Sequence, residues 1–163
     1  DFCLSRGLGD VYKRQGYIIA PPEIIEVAKK VHDFLTVGAA APLQEAAVTG
    51  LKFGEQYYKD LQEKYTSKRD LFLKGLDDIG IAHTVPEGAY YILLDIGEFG
   101  FASDLEFCEV LARDVGVGAV PGSSFFKEPV NNLIRLHFAK KDETLNEALN
   151  RLADIRKKIP VRK

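Results

Sequence analysis

The sequence predicts an α/β fold, and three observations carry that expectation. Apolar residues recur at steps of three and four in some stretches and run together or alternate in others, the periods of helix and strand. From Ile81 onward the elements come in the order β-β-α-β-β-α, a compact α/β layer. The composition, 46% apolar and 28% charged over 163 residues, is that of a chain able to bury a core of its own.

Taken in order, Asp1 to Gln15 show neither period and break abruptly with the regular pattern that begins at Gly16. The stretch is expected to be a non-native, adapter-like tail rather than a fold element. No methionine occurs in the sequence, and the chain is read as a fragment. Tyr17 to Ala20 form a short apolar run stopped by Pro21-Pro22, which predicts a buried strand and then a helix start. In that helix Ile24, Val27, Ala28, Val31, Phe34 and Leu35 share one face. Thr36 to Ala41 is a small-residue linker. Pro42 opens a second helix that ends near Gly54. Glu55 to Ile79 place Tyr58, Leu61, Tyr65, Phe72 and Leu76 on one stripe, a long helix able to connect two domains, with Gly80 as its stop.

Ile81 to Val85 and Ala89 to Ile96 read as strands around a Pro86-Glu87-Gly88 turn. Ser103 with Glu106 three residues on is a capping-box signature, and Leu105, Cys108, Leu111, Ala112 and Val115 supply the buried face of the helix it opens. Gly116 and Gly118 close that helix. Val117 to Val120 and Leu133 to Ala139 are strands separated by a Pro121-Gly122-Ser123-Ser124 loop. A last helix comes after them, with Asp142 as its N-cap and Leu145, Ala148, Leu149, Leu152, Ile155 and Ile159 as its apolar stripe.

Bulk charge names no partner. The formal net charge is −2 with both signs dispersed, so neither a nucleic-acid stripe nor a membrane patch is expected. No apolar run approaches the length of a membrane span, and no signal-peptide series is present. The two cysteines, Cys3 and Cys108, give no disulfide framework, and a cytoplasmic location fits.

One residue could carry chemistry. Alternation in Leu133-Ile134-Arg135-Leu136-His137-Phe138 sends Ile134, Leu136 and Phe138 to the core and Arg135 and His137 to the opposite face. A guanidinium fixed on a strand offers a planar fork suited to a carboxylate. On spacing alone, a solvated or salt-bridged arginine is the commoner explanation. Gly122 could let backbone approach a ligand, with the hydroxyls of Ser123 and Ser124 beside it, and a plain turn explains that loop equally well. His32, His83 and His137 have no metal-ligand spacing, and no dinucleotide or phosphate-binding glycine motif is present.

Four segments in this order carry a resemblance: Gly16-Tyr17-Ile18-Ile19-Ala20-Pro21-Pro22-Glu23, Pro86-Glu87-Gly88-Ala89-Tyr90-Tyr91, Val120-Pro121-Gly122-Ser123-Ser124-Phe125-Phe126 and Ile134-Arg135-Leu136-His137-Phe138-Ala139. The chain from Gly16 to about Ile159 resembles the class I/II aminotransferases, pyridoxal-phosphate-dependent enzymes of fold type I. The resemblance implies that residues 16–54 complete the large cofactor-binding domain, that 55–80 form the connecting helix, and that 81–163 form the small C-terminal domain. It implies pyridoxal 5'-phosphate as cofactor, an amino acid and a 2-oxo acid as substrates, and a homodimer, with Ala39 to Gln44 near its interface. It makes Arg135 the residue that binds the substrate carboxylate and Arg14 a contact of the cofactor phosphate.

The family's Schiff-base lysine has no counterpart. Its Ser-Lys element would fall on Ser5 and Arg6, an arginine forms no such imine, and Lys13 is misplaced. The chain alone is therefore expected to be inactive. The same fold hosts lyases and the effector domains of transcription regulators. From another class, a free-standing small α/β binding domain with Arg135 as an anion contact is the rival reading.

Overall fold

The computed structural model describes residues 3–5, 17–38 and 40–162, and the chain divides into two compact units, residues 1–57 and 58–163. In the first unit, strand β1 (Cys3–Ser5) pairs antiparallel with β2 (Tyr17–Ile19), placing Leu4 opposite Ile18. A strand thus stands at Cys3–Ser5, where the local pattern predicts no fold element. Ile18 and Ile19 are 43% and 65% exposed, so β2 is present where expected but is not buried.

Helix α1 (Pro22–Thr36) starts with proline in its first turn, where the missing N–H costs no hydrogen bond, and α2 (Ala41–Leu51) does the same with Pro42. The expected apolar stripe of α1 is laid out at helical spacing and left open, with Val27, Val31, Phe34 and Leu35 all exposed.

The long helix α3 (Glu55–Ile79) is stopped by Gly80 in the left-handed region, φ +74°, a conformation glycine adopts without a Cβ clash. Only its C-terminal half is buried: Phe72 and Leu76 join the core, Leu61 and Tyr65 are half-buried, and Tyr58 is exposed. The second unit carries a three-stranded antiparallel sheet in the order β3 (Tyr91–Asp95), β5 (Leu133–His137), β4 (Val120–Pro121). Helix α4 (Asp104–Val110) runs on into a π turn (Leu111–Val115), and α5 (Asp142–Ala153) and α6 (Ile155–Lys158) come after β5.

The core lies on one face of this sheet. Ile92 and Leu94 of β3 and Ile134, Leu136 and Phe138 around β5 meet Phe107, Leu111, Leu145 and Leu152 from the helices. Each such side chain, when fully buried, contributes about 1.5–3 kcal/mol of burial free energy. Gly75 on α3 leaves room for Leu149 of α5, so those two helices approach closely.

Several elements differ from expectation. Ile81 to Val85 form only an isolated bridge, His83 to Leu94. Two backbone bonds tie this segment to β3, Thr84 N–H to Leu93 and Asp95 N–H to Ala82, while the Leu93 N–H donates to the Thr84 hydroxyl instead of a backbone carbonyl. The side chain thus takes a rung of the ladder.

Ser103 is the N-cap of α4, accepting from Leu105 N–H at 3.2 Å. Glu106 does not complete the box, because its carboxylate binds Arg162 at 2.7 Å. The buried face of α4 is Asp104, Phe107 and Cys108, continued by Leu111 and Val115, whereas Leu105 and Ala112 point outward. Asp142 is not a cap either. Its carboxylate binds Lys68 of α3, leaving Lys141 at the N-cap position without a side-chain bond.

Arg156 of α6 reaches back to the end of α3, donating to the carbonyls of Ile79 (2.7 Å) and Gly80 (2.8 Å) and pairing with Glu98 at 2.8 Å. Helix-terminal carbonyls lack intrahelical partners, and this arginine supplies one. Among the described residues no helix is long and apolar enough to cross a membrane.

Candidate functional site

Arg135 sits on the central strand, with Leu93 of β3 and Val120 of β4 as its neighbours in register. Ile134 and Leu136, on either side of it, are 1% and 7% exposed. The period of two therefore turns Arg135 to the open face, as the alternation predicts.

There the guanidinium is held between two rings. Its carbon lies 4.1 Å from the centroid of Tyr91 and 3.8 Å from that of Phe125. An arginine plane stacks on aromatic faces and is attracted by their quadrupoles, about 0.5–2 kcal/mol for each ring. Both rings lie over the guanidinium carbon, and its N–H groups have no hydrogen-bond partner among the described residues. Among the described residues no carboxylate lies within ion-pairing distance of Arg135.

Each ring has its own support. Tyr91 is the first residue of β3, and its hydroxyl donates to the Tyr90 hydroxyl at 3.2 Å. Phe125 ends a 3-10 turn, Gly122 to Phe125, directly after β4. That turn is fixed at two points. Asp104, 1% exposed, accepts from Ser123 N–H at 2.7 Å and from the Ser123 hydroxyl at 3.0 Å. A Cβ on Gly122 would stand 2.5 Å from the Leu133 carbonyl oxygen. The close approach that Gly122 permits is thus made by the chain's own central strand, not by a ligand, and the Ser123 hydroxyl is committed to Asp104.

Two residues of this region have displaced titrations. Partial burial, then the charges of Lys140 and Arg135, hold the His137 imidazole below its ordinary value of 6.5. Burial, with the Asp104 charge adding to it, pushes the Cys108 thiol up to about 11, so the thiolate is scarce near neutrality.

Of the residues singled out in the sequence, Arg135 and His137 share one face of β5. Arg14, Arg6 and Lys13 lie outside the described residues. Tyr91, Phe125 and Asp104 are the residues that sequence reasoning passed over as site components. The first two stood inside the motifs without a role, and Asp104 stood inside the capping signature. Two cavities of the second unit, of about 340 and 380 Å³, are lined by residues around Lys140, and neither includes Arg135.

Comparison with known proteins locates the chain. The family model described as aminotransferase class I and II matches residues 4–152. The methionine aminotransferase of Escherichia coli is 36% identical over 141 residues, covering 86% of this chain and 36% of that protein. Among solved structures, the aromatic aminotransferase of Pyrococcus horikoshii superposes with a TM-score of 0.78 at 28% identity, covering 90% of this chain and 39% of that one. The N-succinyldiaminopimelate aminotransferase of Mycobacterium tuberculosis gives 0.78 at 31% identity, covering 88% and 38%. The chain thus spans little more than a third of the length of the proteins it matches.

Proposed function

Because the chain belongs to the aminotransferase class I and II family, we propose that it is the C-terminal part of an enzyme that moves an amino group between an amino acid and a 2-oxo acid. Arg135 is the anchor for the substrate carboxylate. The observation that carries this is the guanidinium stacked between Tyr91 and Phe125 with no carboxylate partner among the described residues. A charge set between two rings, half-buried and without a carboxylate partner among the described residues, is arranged for a ligand, since a solvated or salt-bridged arginine has no need of two aromatic walls. A carboxylate in the plane of the fork would form two parallel charge-assisted hydrogen bonds.

Members of the family use pyridoxal phosphate, whose ring serves as the electron sink of transamination. The described residues do not fit that group by themselves. Neither of the two cavities described above is lined by Arg135, and Arg14, the expected phosphate contact, is outside the described residues. No step is assigned through the cofactor on this chain, and the lysine that would hold it has no counterpart at Arg6.

The finer architecture belongs to the same proposal. Residues 16–54 complete a large cofactor domain, 55–80 connect, and 81–163 form the small domain of a cytoplasmic homodimer. The division of the chain at Tyr57/Tyr58 and the exposed stripe of α1 speak for separating the first part from the rest. The test is to join this chain to its preceding coding sequence and assay amino-group transfer to a 2-oxo acid. Arg135→Leu should lower kcat/KM by about 10- to 150-fold, the loss of charged hydrogen bonds worth about 1.5–3 kcal/mol. An unchanged kcat/KM removes Arg135 as the anchor.

A further inference from the structure

We infer that Asp104 is a positioning residue for the Arg135 grip, acting through Ser123 and Phe125. The inference rests on the reading of Arg135 as a carboxylate anchor. Asp104 is the buried charged residue of the core region, 1% exposed, in the first turn of α4. Both its carboxylate oxygens are spent on one residue of another segment, the backbone N–H and the hydroxyl of Ser123. A carboxylate held out of water is costly unless its hydrogen bonds are made, and here they are made to a turn rather than to the helix's own N-terminus, which Ser103 already caps.

The turn so fixed has no freedom on its other side. Gly122 meets the backbone of Leu133 at a separation that admits no side chain. Two residues past Ser123, Phe125 lies 3.8 Å over the guanidinium carbon. The chain of support runs from a buried acid to a backbone turn, to a phenyl ring, to the plane of the fork. Without the Asp104 bonds the turn keeps its contacts to β5, the Gly122 approach to Leu133 among them, and Phe125, 47% exposed, loses the support that reaches it from α4. The guanidinium would then keep Tyr91 on one face and swing freely on the other. Binding would have to order it first, which weakens carboxylate affinity roughly two- to tenfold.

The experiment reads Arg135 itself, in the 163-residue chain, from the NMR signal of its Nε–H group, which two stacked rings displace. Phe125→Leu should move that signal toward its free position. Asp104→Ala should move it the same way, Asp104→Asn should restore it, because an amide can accept from Ser123 N–H and donate to its hydroxyl, and Asp104→Ala should add nothing in a Phe125→Leu background. If Asp104→Ala fails to fold, Ser123→Ala, which keeps the backbone bond, should give the same direction at smaller size. An Arg135 signal unmoved by these changes, or moved equally in the Phe125→Leu background, overturns the inference. Titration with pyruvate separates the two readings. No response of Arg135 in the unsubstituted chain overturns the carboxylate reading and this inference with it, whereas a response that Asp104→Ala leaves undiminished overturns the inference alone.

Discussion

Replacing Gly122 by alanine should detach the turn from the sheet, and the size of the effect is set by one contact. An added Cβ would stand 2.5 Å from the Leu133 oxygen, 2.8 Å from its Cβ and 3.0 Å from its carbonyl carbon. The obstacle is mostly backbone, and it belongs to the central strand, where Pro121 is registered against Ile134. Rotation of a side chain cannot relieve it, so β4 and β5 must part by at least 0.5 Å to bring the nearest contact to 3.0 Å. Overpacking of this kind costs about 1–3 kcal/mol. Against that, the loss of chain entropy in the unfolded state returns about 0.4–1 kcal/mol. The net is a destabilisation of about 1–2 kcal/mol, or roughly 5–15 °C in melting temperature for a unit of this size.

Thermal unfolding monitored by circular dichroism measures it, and Gly118→Ala is the control. Nothing lies within 4 Å of a Cβ at Gly118, so that variant should be neutral or gain up to about 1 kcal/mol. Equal stability of the two variants would refute the close approach, and with it the account of why the Phe125 turn stands where it does.

Further outcomes rest on the same geometry. Arg135→Leu should raise the His137 pKa, since the Arg135 charge is one of the causes that lower it, and a carboxylate bound at Arg135 should raise it too. An NMR pH titration of the imidazole reads both, and a pKa insensitive to either change would place the Arg135 charge out of its reach. Because His137 is held below 6.5 in the fold, its contribution to stability is complete above pH 6.5 and is lost as pH falls through the folded value. Denaturation midpoints should drop on acidification through that window, and less so in His137→Gln. Cys108, with its thiol at about 11, should resist iodoacetamide at pH 8 in the folded chain and react once unfolded. Alkylation at equal rates in both states would contradict its burial. Arg156→Ala should cost about 1–2 kcal/mol, since its bonds to the Ile79 and Gly80 carbonyls are partly exposed. A denaturation midpoint unchanged by that substitution would show that water replaces those bonds without loss.

Part of this architecture was legible in the sequence. The alternation at β5 placed Ile134, Leu136 and Phe138 in the core and Arg135 outside it, because a period of two survives any tertiary context that buries one face. The stripe of Leu145, Leu152, Ile155 and Ile159 was legible for the same reason at helical period. Pairing at a distance leaves no trace in a local window. Glu106 leaves its capping role for Arg162, and Asp142 leaves the helix end for Lys68, 74 residues away. The face of α4 and the π turn after it was misjudged at two positions, Asp104 and Phe107 being buried in place of Leu105 and Ala112. Positions 104, 107, 108, 111 and 115 keep helical spacing as well as the expected set does, but the first of them is an aspartate, and a pattern of hydrophobicity passes over an acid. The site's walls, Tyr91 and Phe125, come from segments on either side of α4 and meet only when β3 and the turn are laid against β5.

The reach of Arg156 back to α3 has a consequence for how the second unit is made. The helix that begins at Glu55 has its last carbonyls satisfied by a residue 77 positions later, and Arg162 N–H then donates to Phe99. Contacts of such separation close late, because the entropy of closing the intervening loop must be met before any bond rewards it. During synthesis the end of α3 therefore waits, solvated and unfinished, until the segment from Ile155 to Arg162 has emerged. A chain in which that segment has yet to dock has a core that lacks Ile155 and Ile159. Such a nascent chain, with apolar surface temporarily uncovered, is the species a chaperone would meet.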